Sequence, residues 1–215
     1  MAYDVVIFDL DGTLLDTLDD LMDSCNYALS TIGAPPRTRA EIRRFVGNGI
    51  RNLMIQAVPD GADNPKFEQA YETMQTWYKA HNQIKTAPYP GVQRLIRTLK
   101  QQGVPMAVVS NKPDASVQML VEQWFPEITF GLGEREGLRR KPERDMVDYA
   151  IAQLGQTGKK TVYVGDSEVD LTTAANAGLD CISVTWGFRD RALLVERGAK
   201  QFADTAEELL RLIQG

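Results

Sequence analysis

Cysteine is nearly missing from this chain of 215 residues: Cys25 and Cys181 are the only two, far apart and in no CxxC or Cys/His cluster. That spacing offers neither a disulfide framework nor a zinc site, and leaves two reduced, packed thiols. Histidine is scarcer still. His81 stands alone with nothing to pair with it in sequence, so it reads as a surface or packing residue of a helix. Long apolar runs are also absent, and the acidic pair Asp9 and Asp11 arrives before any signal-peptide pattern can develop. Neither a membrane span nor an exported leader is expected, and the cytoplasm is the expected location. Positive charge is in deficit, with 24 Lys and Arg against 29 Asp and Glu, a net charge of -5. Nucleic-acid binders hold phosphates with clustered Lys and Arg. The expected partner is therefore a small molecule, with no nucleic acid and no membrane, and any anionic substrate must be drawn in by a local site. No low-complexity tract occurs, and 43% hydrophobic with 25% charged residues is the balance of a chain that collapses.

What is present is an alternation. Val5-Val6-Ile7-Phe8 is a continuous apolar run ending at Asp9, as a strand buried on both faces of a parallel sheet reads. Val104 to Val109 ends at Ser110, Thr161 to Val164 ends at Gly165-Asp166, and Cys181 to Val184 ends at Thr185. Helical patterns lie between them, over Val92–Gln102, Asp114–Trp124, Pro142–Leu154 and Leu171–Ala177. Strands alternating with amphipathic helices predict an α/β fold, a doubly wound parallel sheet with right-handed crossovers. Ligands of such sheets bind beyond the carboxyl ends of the strands, where Asp9, Ser110 and Asp166 would gather.

Residues 16–86 break the alternation with helical periods and no convincing strand. Leu18, Leu21, Met22, Cys25, Ala28, Leu29 and Ile32 recur at helical spacing behind Thr17, and Gly33 and Pro35 end the run. Thr38 and Glu41 have capping-box spacing, and Pro65 to His81 predicts a longer helix. This segment reads as an inserted all-helical cap domain, with residues 1–15 and 87–215 forming the catalytic core.

Asp9-Leu10-Asp11-Gly12-Thr13 follows the first strand at once. In an Asp-x-Asp loop both carboxylates can face one small volume, the first attacking phosphorus and the second moving a proton. Each polar segment also has a plainer reading: an Asx-type turn for Asp9 to Thr13, a loop before a helix start for Lys141-Pro142, and an N-cap turn for Gly165-Asp166-Ser167. None of these explains why charges of both signs recur at one sheet edge.

Taken in order, Asp9-Leu10-Asp11-Gly12-Thr13, Ser110-Asn111, Lys141-Pro142 and Gly165-Asp166-Ser167-Glu168-Val169-Asp170 resemble the four motifs of the haloacid dehalogenase superfamily, and the resemblance spans the chain. It implies a core of the Rossmann-like kind and an aspartyl-phosphate formed on Asp9. Asp11 would protonate the leaving oxygen and later deprotonate water. Ser110 and Lys141 would hold the phosphoryl oxygens, with Asn111 and Gly12 adding polar contacts. Mg2+ would sit on the Asp9 carboxylate, the Asp11 carbonyl and Asp166, with Asp170 in support. A cluster of carboxylates that would otherwise repel one another suits a hard divalent cation, and Lys141 supplies the second positive charge that phosphate needs. Asp11 disfavours dehalogenation, because halide leaves without a proton whereas an oxygen leaving group wants one.

The stretch Phe45-Val46-Gly47-Asn48-Gly49-Ile50-Arg51 resembles the cap loop of phosphoglycolate phosphatases, as does Trp186-Gly187-Phe188-Arg189 their C-terminal run. The resemblance implies a cap that closes over the site, with Gly47, Asn48 and Gly49 near substrate and Arg51 the best placed cation for a substrate carboxylate. Departures are small: Glu143 to Met146 replace a usual second proline, and Ser110 stands where threonine is frequent. A small phosphate ester, foremost 2-phosphoglycolate, is the expected substrate of a monomer or homodimer. A phosphosugar mutase is disfavoured because residues 16–30 lack a histidine, while pyrophosphatase or nucleotidase relatives and a non-catalytic binding module remain as alternatives.

Overall fold

The computed structural model describes residues 2–215. In chain order the elements are β1 (Val5–Phe8), β2 (Leu15–Asp16), α1 (Leu18–Thr31), α2 (Arg39–Phe45), α3 (Gly49–Ala57), α4 (Phe67–His81), β3 (Ala87–Pro88), α5 (Val92–Gln101), β4 (Met106–Pro113), α6 (Asp114–Trp124), β5 (Phe130–Glu134), α7 (Asp145–Gln153), β6 (Thr161–Gly165), α8 (Glu168–Ala177), β7 (Asp180–Val184), α9 (Arg191–Glu196), β8 (Gln201–Ala203) and α10 (Ala206–Gln214). They divide into two compact units, one of residues up to Leu15 with Pro88–Gly215, the other Asp16–Ala87.

The first unit is built on a six-stranded sheet in the order β5-β4-β1-β6-β7-β8. Every pairing in it is parallel. Side chains of a strand alternate between faces, and the sequence supplies an apolar residue for both. Val6 and Phe8, with Met106, Val108, Val162 and Val164, pack under α5, α6 and α10. Val5 and Ile7, with Ala107, Val109 and Tyr163, pack under α7 and α8. Two cores, one on each face of a parallel sheet, are the doubly wound α/β fold that the alternation predicts.

Several elements escape the sequence pattern, and for identifiable reasons. β5 is Phe-Gly-Leu-Gly-Glu, whose two glycines are poor strand formers. β8 has three residues and α9 six, too short to show a period. α7 begins at Asp145, not Pro142. β4 runs past Ser110 to Pro113, with an irregular register against β5 between Val109 and Pro113. Such irregularities re-aim side chains at a sheet edge.

The second unit holds α1 to α4 and one 3-10 turn at Gly61–Asp63. Thr38 and Glu41 form the capping box that their spacing predicts, with Thr38 N donating to Glu41 Oε2 at 2.8 Å and Glu41 N to Thr38 Oγ1 at 3.3 Å. α3, which the glycines on either side of Asn48 obscure in sequence, starts at Gly49. Buried Asp20 of α1 accepts from Lys85 N, Thr86 N and Thr86 Oγ1 at 2.8 to 3.0 Å, tying the end of this unit to its first helix. His81 stacks on Trp77, centroids 3.9 Å apart, and Trp77 on Tyr27.

Candidate active site

Register fixes the site. Phe8 lies between Val108 on one side and Val164 on the other. Asp9, Ser110 and Asp166 therefore all emerge just past the same level, at the carboxyl edge. All three are buried, with Asp9 only 7% exposed. Lys141 reaches the same place from the loop before α7: its Nζ donates to Asp9 Oδ1 at 2.7 Å, to Asp170 Oδ1 at 2.8 Å and to the Tyr163 hydroxyl at 3.0 Å. Asn111 lies beside it, with Nδ2 donating to the Lys141 carbonyl at 3.0 Å.

Asp166 accepts from Thr13 Oγ1 at 3.2 Å and from Phe188 N at 2.6 Å. Gly12 passes so close, at φ +89°, that a Cβ there would run into the Asp166 carboxylate. Its glycine is thus required both by the backbone and by the neighbour. Asp170 opens α8 as the capping partner of Ser167, whose N and Oγ donate to Oδ2 at 3.1 and 2.6 Å. One oxygen of Asp170 thus caps the helix while the other receives Lys141.

The electrostatics follow from three carboxylates gathered away from water beside one ammonium that bonds two of them. Burial pushes the Asp9 carboxyl well above its usual range; Lys141 pulls it back, and Asp170 and Asp166 push it up again. Burial, then Asp170, carries Asp166 to about 7, against the Phe188 N–H and Arg189. Burial pulls Lys141 down, but Asp170, Asp9 and Tyr163 outweigh it and hold the ammonium charged. One lysine is not enough to keep all three acids ionised. Asp9, Asp166 and Asp170 each offer an oxygen, all within 4.8 Å of one another. An all-oxygen, excess-negative donor set fits a hard divalent cation. Asp170 is already bonded through both oxygens, to Lys141 and Tyr163 on one and to the start of α8 on the other.

A family model described as haloacid dehalogenase-like hydrolase matches residues 6–184. The chain belongs to that family. Among curated relatives, the phosphoglycolate phosphatase of Pseudomonas putida is 33% identical over 194 residues, covering 86% of this chain and 70% of that one. The phosphoglycolate phosphatase of Pseudomonas fluorescens is 30% identical over 216 residues, covering 96% and 78%. A crystal structure from Lactobacillus delbrueckii subsp. bulgaricus, provisionally described as a phosphoglycolate phosphatase, superposes with TM-score 0.94 at 39% identity over 99% of both chains. The chain is accordingly a hydrolase of the phosphatase kind within the family, similar to phosphoglycolate phosphatases. No described helix is long and apolar enough to cross a membrane.

The other expected positions are distributed differently. Asp11 is one-sixth exposed and meets Lys112, whose Nζ lies 2.9 and 3.2 Å from its two oxygens. In the helical unit, Gly47 and Asn48 join α2 to α3, and Gly49 begins α3 at φ +77°. Arg51 is already engaged there: it forks onto Glu68 and lies over the rings of Phe67 and Tyr71, 5.1 and 4.9 Å from their centroids. Sequence reasoning passed over Lys112, Tyr163, Thr13 and the Arg189–Glu168 pair at 2.8 Å. Lys112 had a signal, a third polar residue directly after Ser110-Asn111 at a strand end. Tyr163 had a weaker one, a phenol in a run of aliphatics.

Proposed function

We propose that the enzyme is a magnesium-dependent phosphomonoesterase that hydrolyses a small phosphorylated metabolite, foremost 2-phosphoglycolate, in the cytoplasm. The carrying observation is Lys141 Nζ held between Asp9 and Asp170 at 2.7 and 2.8 Å, beside the buried carboxylate of Asp166. Asp9, at the end of a central strand, attacks phosphorus; a P–O bond to its carboxylate forms as the ester P–O bond breaks. Asp11 gives its proton to the departing oxygen. Water then attacks the aspartyl-phosphate at phosphorus, passing a proton to Asp11 and freeing Asp9. Lys141 and Ser110 hold the phosphoryl oxygens, with Asn111 and Gly12 beside them, and Lys141 offsets charge on the transferring group. Asp9, the Asp11 carbonyl and Asp166, supported by Asp170, would hold the Mg2+, which when bound neutralises charge between nucleophile and phosphate.

For the substrate carboxylate we retain Arg51 in the first turn of α3, with Gly47, Asn48 and Gly49 leading into it. Its pairing with Glu68 means that it would share its charge. The test is kcat/KM over a panel of small phosphoesters with and without Mg2+. Preference for 2-phosphoglycolate and dependence on the cation are expected; a flat profile, or turnover surviving chelation, would remove the substrate or the metal from this reading. Arg51→Met should raise KM for 2-phosphoglycolate and leave KM for a carboxylate-free ester unchanged.

A further inference from the structure

Lys112 is buried, lies two residues beyond Ser110, and spends its ammonium on both oxygens of Asp11, at 2.9 and 3.2 Å. Its backbone is pinned on two sides. Lys112 N donates to Ser110 Oγ at 3.2 Å, and its carbonyl lies against Gly133 of β5, where a Cβ would collide with it. Gly133 N in turn donates to Asp114 Oδ1 at 2.7 Å, holding β5 to the start of α6. With its backbone fixed and its side chain buried, Lys112 gives the partly exposed Asp11 an anchored partner. A buried lysine also carries about 2 kcal/mol of rotamer entropy that its surroundings must restrain, which a mere surface ion pair would not warrant.

We infer that Lys112 is the positioning residue for Asp11. It holds that carboxyl group beside the path of the leaving oxygen, so that the two lysines of the rim divide the labour: Lys141 serves the nucleophile and Lys112 the proton carrier. The inference rests on the acid role of Asp11 proposed above. It is a statement about geometry, because general-acid catalysis requires the acid within hydrogen-bond reach of the atom that it protonates.

Leaving groups separate the roles. An alkyl phosphate departs as a strongly basic alkoxide and needs a proton, whereas a nitrophenyl phosphate departs as a stable phenolate and needs little help. Lys112→Met should lower kcat for alkyl phosphates on the order of 10-fold more than kcat for nitrophenyl phosphate, and Asp11→Asn should do the same on the order of 100-fold. In the Asp11→Asn background Lys112→Met should add nothing further, as expected of residues that act as a unit. The double variant loses both charges together, so it remains a fair test if Lys112→Met alone folds poorly. An alkyl-to-aryl ratio unmoved in Lys112→Met but changed in Asp11→Asn would overturn the role of Lys112 alone. A ratio unmoved in Asp11→Asn would remove the acid role of Asp11 itself. A uniform rise in KM for every ester in Lys112→Met would make Lys112 a substrate-binding cation, which also overturns the inference.

Discussion

Lys141 and Arg51 each meet a carboxylate, one at the carboxyl edge of the sheet and the other on the surface of the helical unit. Lys141 is 3% exposed and serves two acids and a phenol. Arg51 has nearly half its side chain in water, and its partner Glu68 is more open still. In water the Coulomb energy of a pair is small and screened; away from it, an unmatched charge costs several kcal/mol. The rim therefore concentrates buried charge of a kind that clusters at functional sites, which the surface pair does not.

The largest expected effect is on turnover. Asp9→Asn should abolish hydrolysis with the circular dichroism spectrum unchanged, and should raise the Tm of the metal-free protein, since it relieves repulsion among three acids. Residual turnover within an order of magnitude of wild type would place the nucleophile elsewhere. Next comes Lys141→Met, which should lose activity and about 3 kcal/mol of stability at neutral pH by leaving buried carboxylates without their counter-charge. Urea denaturation measures it, and a loss below about 1 kcal/mol would erase the contrast with the surface pairs.

A subtler effect concerns pH. Asp166 has its carboxyl raised to about 7 by burial and by Asp170. Between about 4, where an aspartate of the unfolded chain releases its proton, and about 7, the folded chain keeps one that the unfolded chain has lost. Stability of the metal-free protein should fall as pH rises across that interval and level off above it. Asp166→Asn should flatten this slope, and an unchanged slope would assign the proton to other groups. The smallest effect belongs to Arg51→Met, which should leave Tm where it is; a clear drop would mean that the Arg51 contacts with Phe67 and Tyr71 hold the helical unit together.

The sequence by itself determined the layering of the sheet unit. Val5 to Phe8 are apolar at every position and Thr161 to Val164 at every position after the first, which a strand covered on both faces accommodates. The helical character of residues 16–86 and the capping box at Thr38 and Glu41 were legible too, because local periods and caps depend on neighbours a few residues away. So was the gathering of Asp9, Ser110 and Asp166 at one sheet edge, since each follows an apolar run of the alternation. Only the tertiary structure decided who pairs with whom. Lys141 between Asp9 and Asp170, Lys112 on Asp11, and Tyr163 beneath both Lys141 and Asp170 join residues from 7 to 132 positions apart. Those pairings arise from strand register and from the irregular edge of β4. The energy of a buried charge depends on the geometry of what surrounds it, and no local pattern in a chain records that.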